Sequence, residues 1–192
     1  KNEKLISTQR DLVAEEVSKD IALRMMLPPH LAQAHTEGLI HIHDLGHYLN
    51  PSFNCCLVNL KDMLDNGTVI NGKMIESPHR FQTACTIATQ IVAQVASGQF
   101  GGQTISIAHL SPYVRKSRLK IEKQLKSRLG DKLSKDEIKD EVDARLKDEI
   151  SSGIQTFNYQ INTLQTSNGQ SPFLSVFMYI NELPNYKEET SL

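Results

Sequence analysis

Residues 39–60 read LIHIHDLGHYLNPSFNCCLVNL and combine two strand-like patterns with three histidines, an aspartate and two adjacent cysteines. The first third of this stretch alternates with period two, which places His41 and His43 on one face of a strand. The last third alternates in the same way, which places Cys55 and Cys56 on opposite faces. The sequence therefore predicts two strands, and only one of the two thiols points into any one pocket.

Outside this stretch the sequence has mainly helical patterns. Gly38 predicts a left-handed end to a short helix, and the pair Asn71-Gly72 predicts a hairpin. Ser77-Pro78 has the form of an N-cap followed by proline at the first helical position, and Ser134 with Glu137 forms a capping box. Apolar residues at helical spacing predict helices over residues 8–26, 30–37, 61–66, 77–97, 112–129 and 134–164.

A long segment of the chain lacks charged residues. Residues 81–114 contain no Asp, Glu, Lys or Arg, so the helix over residues 77–97 carries glutamine and threonine on its polar side. Depletion of charge marks the buried centre of protein interfaces. This helix is therefore predicted to pack on both sides, against another subunit or, alternatively, inside a larger domain. The second half of the helix over residues 134–164 also loses its charges and is predicted to be buried.

The run FLSVFMYI, residues 173–180, is almost continuously apolar, which is typical of a strand buried on both faces of a parallel sheet. Alternating strands and helices predict an α/β layer or barrel. The few strong strands of this sequence do not complete a barrel. The chain is therefore predicted to be a piece of one.

Composition narrows the possible partners. With 192 residues the chain is long enough for one domain with a full core but too short for two. The balance of 21 basic and 22 acidic residues argues against binding to nucleic acid or an anionic membrane.

The sequence has neither an apolar run of roughly twenty residues nor a secretion leader, which favours the cytoplasm. No Cys-x-x-Cys spacing occurs, so no metal site is predicted.

Three segments together resemble the anaerobic, class III ribonucleotide reductases, which are glycyl radical enzymes. The segments are FNCCLVNLKDML (53–64), TACTIATQIVAQVASGQFGGQTIS (83–106) and QINTLQTSNGQSPF (160–173). The resemblance implies the N-terminal part of a catalytic domain, with half of a ten-stranded α/β barrel and long dimer-interface helices. On this interpretation residues 1–60 hold N-terminal helices and the first strands, residues 77–166 hold the dimer and allosteric helices, and residues 168–181 hold a buried strand.

The resemblance also implies a reaction and its cofactors. Members of the family convert ribonucleoside triphosphates to deoxyribonucleoside triphosphates for DNA replication, by glycyl and thiyl radical chemistry with formate as the usual reductant. The radical glycine, which is generated by an iron–sulfur, S-adenosylmethionine-dependent activating enzyme, and a four-cysteine zinc site are expected outside these 192 residues. The isolated chain is therefore expected to be inactive.

Candidate site residues follow from matching the family's motifs. The family's Phe-Asn-Cys segment falls on residues 53–55, which assigns thiol chemistry to Cys55 and leaves Cys56 and Cys85 to packing. The expected substrate-binding residues are His43, Asn168 and Gln170. Family members are homodimers in which paired helices hold an allosteric nucleotide, a deoxynucleoside triphosphate or ATP. The expected effector-binding residues are Glu76, His79, Gln90 and Lys120.

Two other functions compete with this interpretation. His41 and His43 at the end of a strand resemble the paired ligands of a zinc-dependent barrel hydrolase, which would need further ligands from later strands. A dimerisation module that binds nucleotide without catalysis is the other alternative. Retained zinc would favour the hydrolase, and stabilisation by deoxynucleotides would favour the module.

Overall fold

The computed structural model describes residues 4–50, 54–99, 101–129, 132–166 and 171–192 as a mixed α/β fold that is mostly helical. The helices are α1 (Ile6–Ile21), α2 (Pro29–Thr36), α3 (Leu60–Asp65), α4 (Phe81–Ser97), α5 (Ser111–Leu129), α6 (Lys135–Thr163) and α7 (Lys187–Ser191). The strands are β1 (Cys56–Leu57), β2 (Thr68–Ile70), β3 (Lys73–Ile75), β4 (Gln103–Ser106) and β5 (Leu174–Phe177). A π-helical turn (Ala22–Met26) extends α1, and short 3-10 turns cover Leu45–His47, Ile107–Leu110 and Pro184–Tyr186.

The main sheet is parallel and has the strand order β1-β4-β5. Cys56 pairs with Gln103, which in turn pairs with Leu174. The α/β class and the parallel pairing are confirmed. Over the described residues the sheet has three strands and does not close, so the structure shows no barrel. The central strand β4 is not among the predicted strands, because its four residues are too few to show a period.

The predicted strand over residues 39–44 is wrong. The N–H groups of Leu39 and Ile40 donate to Ala34 O at 2.9 and 3.3 Å, which completes the end of α2. The Ile42 N–H donates to His35 Nδ1 at 3.2 Å. Asp44 then adopts a left-handed backbone with φ of 54°. These three backbone donors are therefore engaged by α2 and not by a neighbouring strand, and the alternating side chains belong to a loop.

The last strand is shorter and more exposed than the sequence predicts. β5 lies at the edge of the sheet, and the flanking Phe173 and Met178 are largely exposed. The prediction of a strand buried on both faces is therefore wrong for this chain. The reason is architectural, since β5 pairs only with β4 and no described residue pairs with its other edge.

All six predicted helices are present. The hairpin is also confirmed, since Asn71 and Gly72 have φ of 50° and 76° between β2 and β3. The capping box of Ser134 at the start of α6 is formed as predicted. The Ser77-Pro78 cap is wrong, because α4 begins at Phe81 and its first N–H donates to Ser117 Oγ of α5 at 2.8 Å. A residue from another helix therefore caps α4.

Helix α4 forms the centre of the core. It packs against α6, and Gly153 of α6 makes the close approach possible, since a Cβ there would lie 2.7 Å from the Phe81 ring. Cys85 is completely buried beneath this crossing. The buried residues of α4 are Phe81, Ala84, Cys85, Ile87, Ala88, Thr89, Ile91, Val92 and Ala96.

Two helices expose more apolar surface than their patterns suggest. In the second half of α6, Ile154 and Tyr159 are exposed, Tyr159 by 67%, so the predicted burial of that half is wrong for this chain. On α1, Val13 and Val17, which are spaced four residues apart, face solvent, while Thr8 is buried. No helix in the described ranges is both long and apolar enough to cross a membrane.

The residues after β5 fold back onto α5. Arg115 of α5 binds Glu189 through Nε at 2.5 Å and Nη2 at 2.9 Å, and Nη2 also donates to Asn185 O at 2.6 Å. The guanidinium lies 4.3 Å from the ring centroid of Tyr186. This clamp engages one of the seven cations of α5.

Candidate functional site

The three cysteines occupy very different environments. Cys55, just before β1, is exposed, Cys56 is half-buried, and Cys85 is buried. Burial raises the pKa of the Cys56 thiol, and the neighbouring Cys55 adds to the effect. Burial, with a smaller contribution from the charge of Glu149, raises the pKa of Cys85 to about 12. Cys55 is therefore the most exposed of the three thiols, whereas Cys56, the first residue of β1, is partly enclosed.

Gly101 allows a close contact between its own segment and the segment that carries Cys55. A Cβ on Gly101 would lie 1.7 Å from the backbone oxygen of Asn54 and 2.3 Å from its Oδ1. No side chain fits between these two segments, so a residue other than glycine would displace one of them. The N–H of Cys56 donates to Gly102 O at 3.2 Å, which continues the contact into the sheet.

A chain of polar groups connects Cys55 with His43. The Cys55 thiol lies 3.7 Å from Asn54 Oδ1, and Asn54 Nδ2 donates to Asp44 Oδ2 at 3.5 Å. The same Asp44 oxygen contacts Nδ1 of His43. The structure therefore brings the predicted His43 and Cys55 into one polar group. Asp44 and Asn54, which link them, were not singled out by the sequence patterns because a bend at Asp44 creates the contact.

The ring of His41 lies between those of His43 and His35, the latter on α2. The ring of His41 is 6.1 Å from that of His43 and 5.7 Å from that of His35, between centroids. Within the described ranges, no three His, Cys, Asp or Glu side chains are grouped to hold a metal ion. The zinc-hydrolase alternative required two imidazoles on one face of a strand, and the structure has no strand there.

The predicted effector residues are all exposed, and three lie near the start of α4. Glu76 and His79 flank a segment that Lys116 of α5 contacts, with Nζ 3.4 Å from both Ser77 Oγ and Pro78 O. Lys120 lies one turn further along α5. Gln90 lies on α4 nine residues after Phe81, a distance of roughly 13 Å along the helix.

A buried ionic network surrounds the same end of α4. Glu149 of α6 accepts hydrogen bonds from Arg80 Nη2 at 2.8 Å and from Ser117 Oγ at 2.7 Å. Burial by itself would raise the pKa of Glu149, but the hydrogen bonds from Ser117 and Arg80 outweigh it and hold the pKa below its usual value. Sequence patterns missed this network because Arg80 and Glu149 are 69 residues apart.

A cavity of about 350 Å³ lies at the C-terminal ends of the parallel strands. Leu57, Ser106 and Phe177 line it from the three strands, and Glu182 lines it from the loop after β5. His109 Nε2 lies 3.0 Å from Glu182 Oε1, and Ser106 Oγ contacts Oε2 of the same residue. Two predicted substrate-binding residues, Asn168 and Gln170, lie outside the described residues.

The sequence profile described as anaerobic ribonucleoside-triphosphate reductase matches residues 1–192 of this chain. The chain belongs to the anaerobic ribonucleoside-triphosphate reductase family. Its relatives include the anaerobic ribonucleoside-triphosphate reductase of Enterobacteria phage T4, which is 41% identical over 180 residues, 92% of this chain and 29% of the relative. The enzymes of the same name from Haemophilus influenzae and Escherichia coli are 40% and 38% identical over 178 residues, 91% of this chain and 24% of each relative.

The anaerobic ribonucleoside-triphosphate reductase resemblance predicted from the three sequence segments is thereby confirmed. The chain spans 24–29% of the length of these relatives. Within this reductase-family segment the structure provides an accessible thiol at Cys55, a polar connection to His43 and a buried network at the start of α4.

Proposed function

We propose that this chain forms part of an enzyme that reduces ribonucleoside triphosphates to deoxyribonucleoside triphosphates, with Cys55 as one of its reacting thiols. The observation that supports this most is the contrast among the cysteines: Cys55 is exposed beside a polar partner, while Cys85 is enclosed in the core. The proposal also rests on family membership, since each relative carries the name of this activity.

The local geometry suits a thiol that donates hydrogen to a substrate. Asn54 Oδ1 lies near the Cys55 sulfur and is held in place by Asp44 and by the close approach of Gly101. The imidazole of His43 lies at the far end of the polar chain, with its Nδ1 in contact with Asp44. A glycyl radical outside this chain, formed by a radical S-adenosylmethionine activating enzyme, would supply hydrogen-atom abstraction, with formate as the overall reductant.

We also propose that α4 and α5 bind an allosteric nucleotide at a homodimer interface. The exposed side of α4 carries Gln82, Gln90 and Gln94 without charges, which is the composition of an interface core. The ammonium of Lys120 is suited to phosphate oxygens. Glu76, His79 and Gln90 would contact the remainder of the nucleotide, and His43, Asn168 and Gln170 would serve the substrate.

The catalytic proposal is tested in a polypeptide of the relatives' length that carries this segment, assayed without oxygen with activating enzyme and formate. Cys55→Ser should abolish deoxynucleotide formation, because a hydroxyl does not replace a thiol in radical chemistry. Cys56→Ser is the matched control. The serine hydroxyl can still donate to Gln99 Oε1, the acceptor of the Cys56 thiol, so this variant should retain most activity. Turnover by the Cys55→Ser enzyme at the control's rate would refute the proposed role.

The regulatory proposal is tested on the 192-residue chain itself. A deoxynucleoside triphosphate at 100 times its Kd should stabilise the fold by about 2.7 kcal/mol. Lys120→Ala and Gln90→Ala should each reduce this stabilisation, whereas Lys147→Ala, an exposed cation on α6, should not. Thermal unfolding with each deoxynucleotide provides the measurement. Equal stabilisation of all three variants would place the nucleotide elsewhere, and equal stability with and without every nucleotide would contradict binding by this chain.

A further inference from the structure

Gln99 is a buried glutamine that lies between α4 and β4, with only 4% of its surface exposed. Both ends of its side chain are hydrogen-bonded. Its Oε1 accepts from the Cys56 thiol at 3.0 Å, and its Nε2 donates to Gly101 O at 3.0 Å. A buried amide with both groups satisfied holds its neighbours in a defined arrangement, because losing either bond leaves a buried polar group unpaired.

The two partners of Gln99 lie on either side of the Cys55 segment. Cys56 is the next residue along the chain, and Gly101 lies against Asn54, the residue before it. The contact between Gly101 and Asn54 prevents these segments from approaching further but does not stop them from separating. The Gln99 side chain joins them directly, because one end binds Cys56 and the other binds Gly101.

We propose that Gln99 is a positioning residue for Cys55, an inference that rests on the proposed thiol role of Cys55. By holding Cys56 against Gly101, Gln99 fixes the backbone on which the Cys55 thiol and the Asn54 amide are presented. Displacement of a reacting group by about 1 Å costs on the order of 100-fold in rate. The hydrogen bonds of Gln99 go to Cys56 and Gly101, so its effect is on placement and not on the chemical step.

Gln103 provides a matched control in the same part of the fold. It is 1% exposed, and its Nε2 donates to Val92 O of α4 at 2.8 Å. Like Gln99, it is a buried glutamine that connects the region of α4 to the sheet, but its amide binds the helix and not the cysteine segment. Leucine at either position keeps the size of the side chain and removes its hydrogen bonds.

The first measurement is the rate at which a neutral alkylating reagent modifies Cys55 in the 192-residue chain, resolved by mass spectrometry. Gln99→Leu should raise this rate at least about threefold, because the Cys56 side chain is no longer tied to Gly101 and the start of β1 keeps only its backbone hydrogen bond to Gly102. Gln103→Leu should leave it unchanged, even where it lowers the Tm. An unchanged Cys55 rate in Gln99→Leu, or equal increases in both variants, would overturn the proposal.

The second measurement uses a full-length reductase that carries this segment, with kcat and KM determined separately. Gln99→Leu should lower kcat about tenfold or more and leave KM within about twofold, since substrate binding does not depend on the thiol. Gln103→Leu should keep kcat. If both variants lose kcat in proportion to the decrease in their Tm, the role of Gln99 is merely structural and the inference is overturned. Cys55→Ser in the same assay tests the proposed function separately. If Cys55→Ser stays active, the proposed thiol role is refuted, and the alkylation rates alone decide whether Gln99 positions Cys55.

Discussion

Replacing Glu149 by glutamine is expected to destabilise the chain at neutral pH, and the size of the effect follows from its surroundings. The Glu149 side chain is 7% exposed, whereas its partner Arg80 is 42% exposed and regains water when the ion pair is lost. A hydrogen bond to a charged group contributes about 1.5–3 kcal/mol, and the lower end applies to the half-exposed Arg80. Adding about 0.5 kcal/mol for the weakened bond from Ser117 gives about 2 kcal/mol in total.

The assay is thermal and urea unfolding of wild type and Glu149→Gln at pH 7. For a chain of this size about 2 kcal/mol corresponds to a Tm lower by roughly 4–8 °C. Asp143→Asn is the matched control, because Asp143 also connects α6 to α5, through Arg118 at 2.6 Å, but its side chain is 45% exposed. A pair of this kind contributes less than about 1 kcal/mol. Equal destabilisation by both substitutions would refute the reasoning.

The pH dependence provides an independent check on the same carboxylate. The pKa of Glu149 is lowered in the folded chain, so its contribution is present above the unfolded-state pKa of about 4.3 and is lost as the pH falls through the folded-state value. The stability difference between wild type and Glu149→Gln should therefore shrink on acidification. Asp65 and Glu189 also have lowered pKa values, but they titrate in both proteins and cancel from the difference. A difference that grows towards low pH would contradict the assignment.

Two further predictions concern the cysteine segment. Cys55 should be alkylated more than about 1,000-fold faster than Cys85 at pH 8 in the native chain. The reason is that Cys85 is fully buried and its pKa is raised to about 12. Comparable rates for the two thiols would contradict the placement of Cys85 in the core. Gly101→Ala should lower the free energy of unfolding by more than about 3 kcal/mol in urea, because its Cβ would overlap the Asn54 carbonyl. Gly98→Ala is the control. A Cβ there has its nearest contact at 3.7 Å, so this variant should change stability by less than about 0.5 kcal/mol. Similar costs for both alanines would show that the two segments separate freely.

Features with a local cause were predicted correctly from the sequence. The helices follow from apolar spacing, the hairpin from Asn71-Gly72, and the start of α6 from the Ser134 capping box. The predicted strand over residues 39–44 failed because alternation describes side chains and does not show whether the backbone has a strand to pair with. The four residues of β4 form the central strand because they pair with β1 on one side and with β5 on the other, and both partners are distant in the sequence.

The family could be predicted from three segments of the sequence, and the positions of the helices from apolar spacing, because each of these signals lies within one continuous segment. The groups that surround the Cys55 and Cys56 thiols could not be predicted in this way, because they come from distant parts of the chain. Gln99 reaches Cys56 across 43 residues, and Asp44 reaches Asn54 across 10. A hydrogen bond requires two atoms within about 3.5 Å. The chain path after α4 brings Gln99 to Cys56, and the bend at Asp44 brings that carboxylate to Asn54, and no local period in the sequence records either contact.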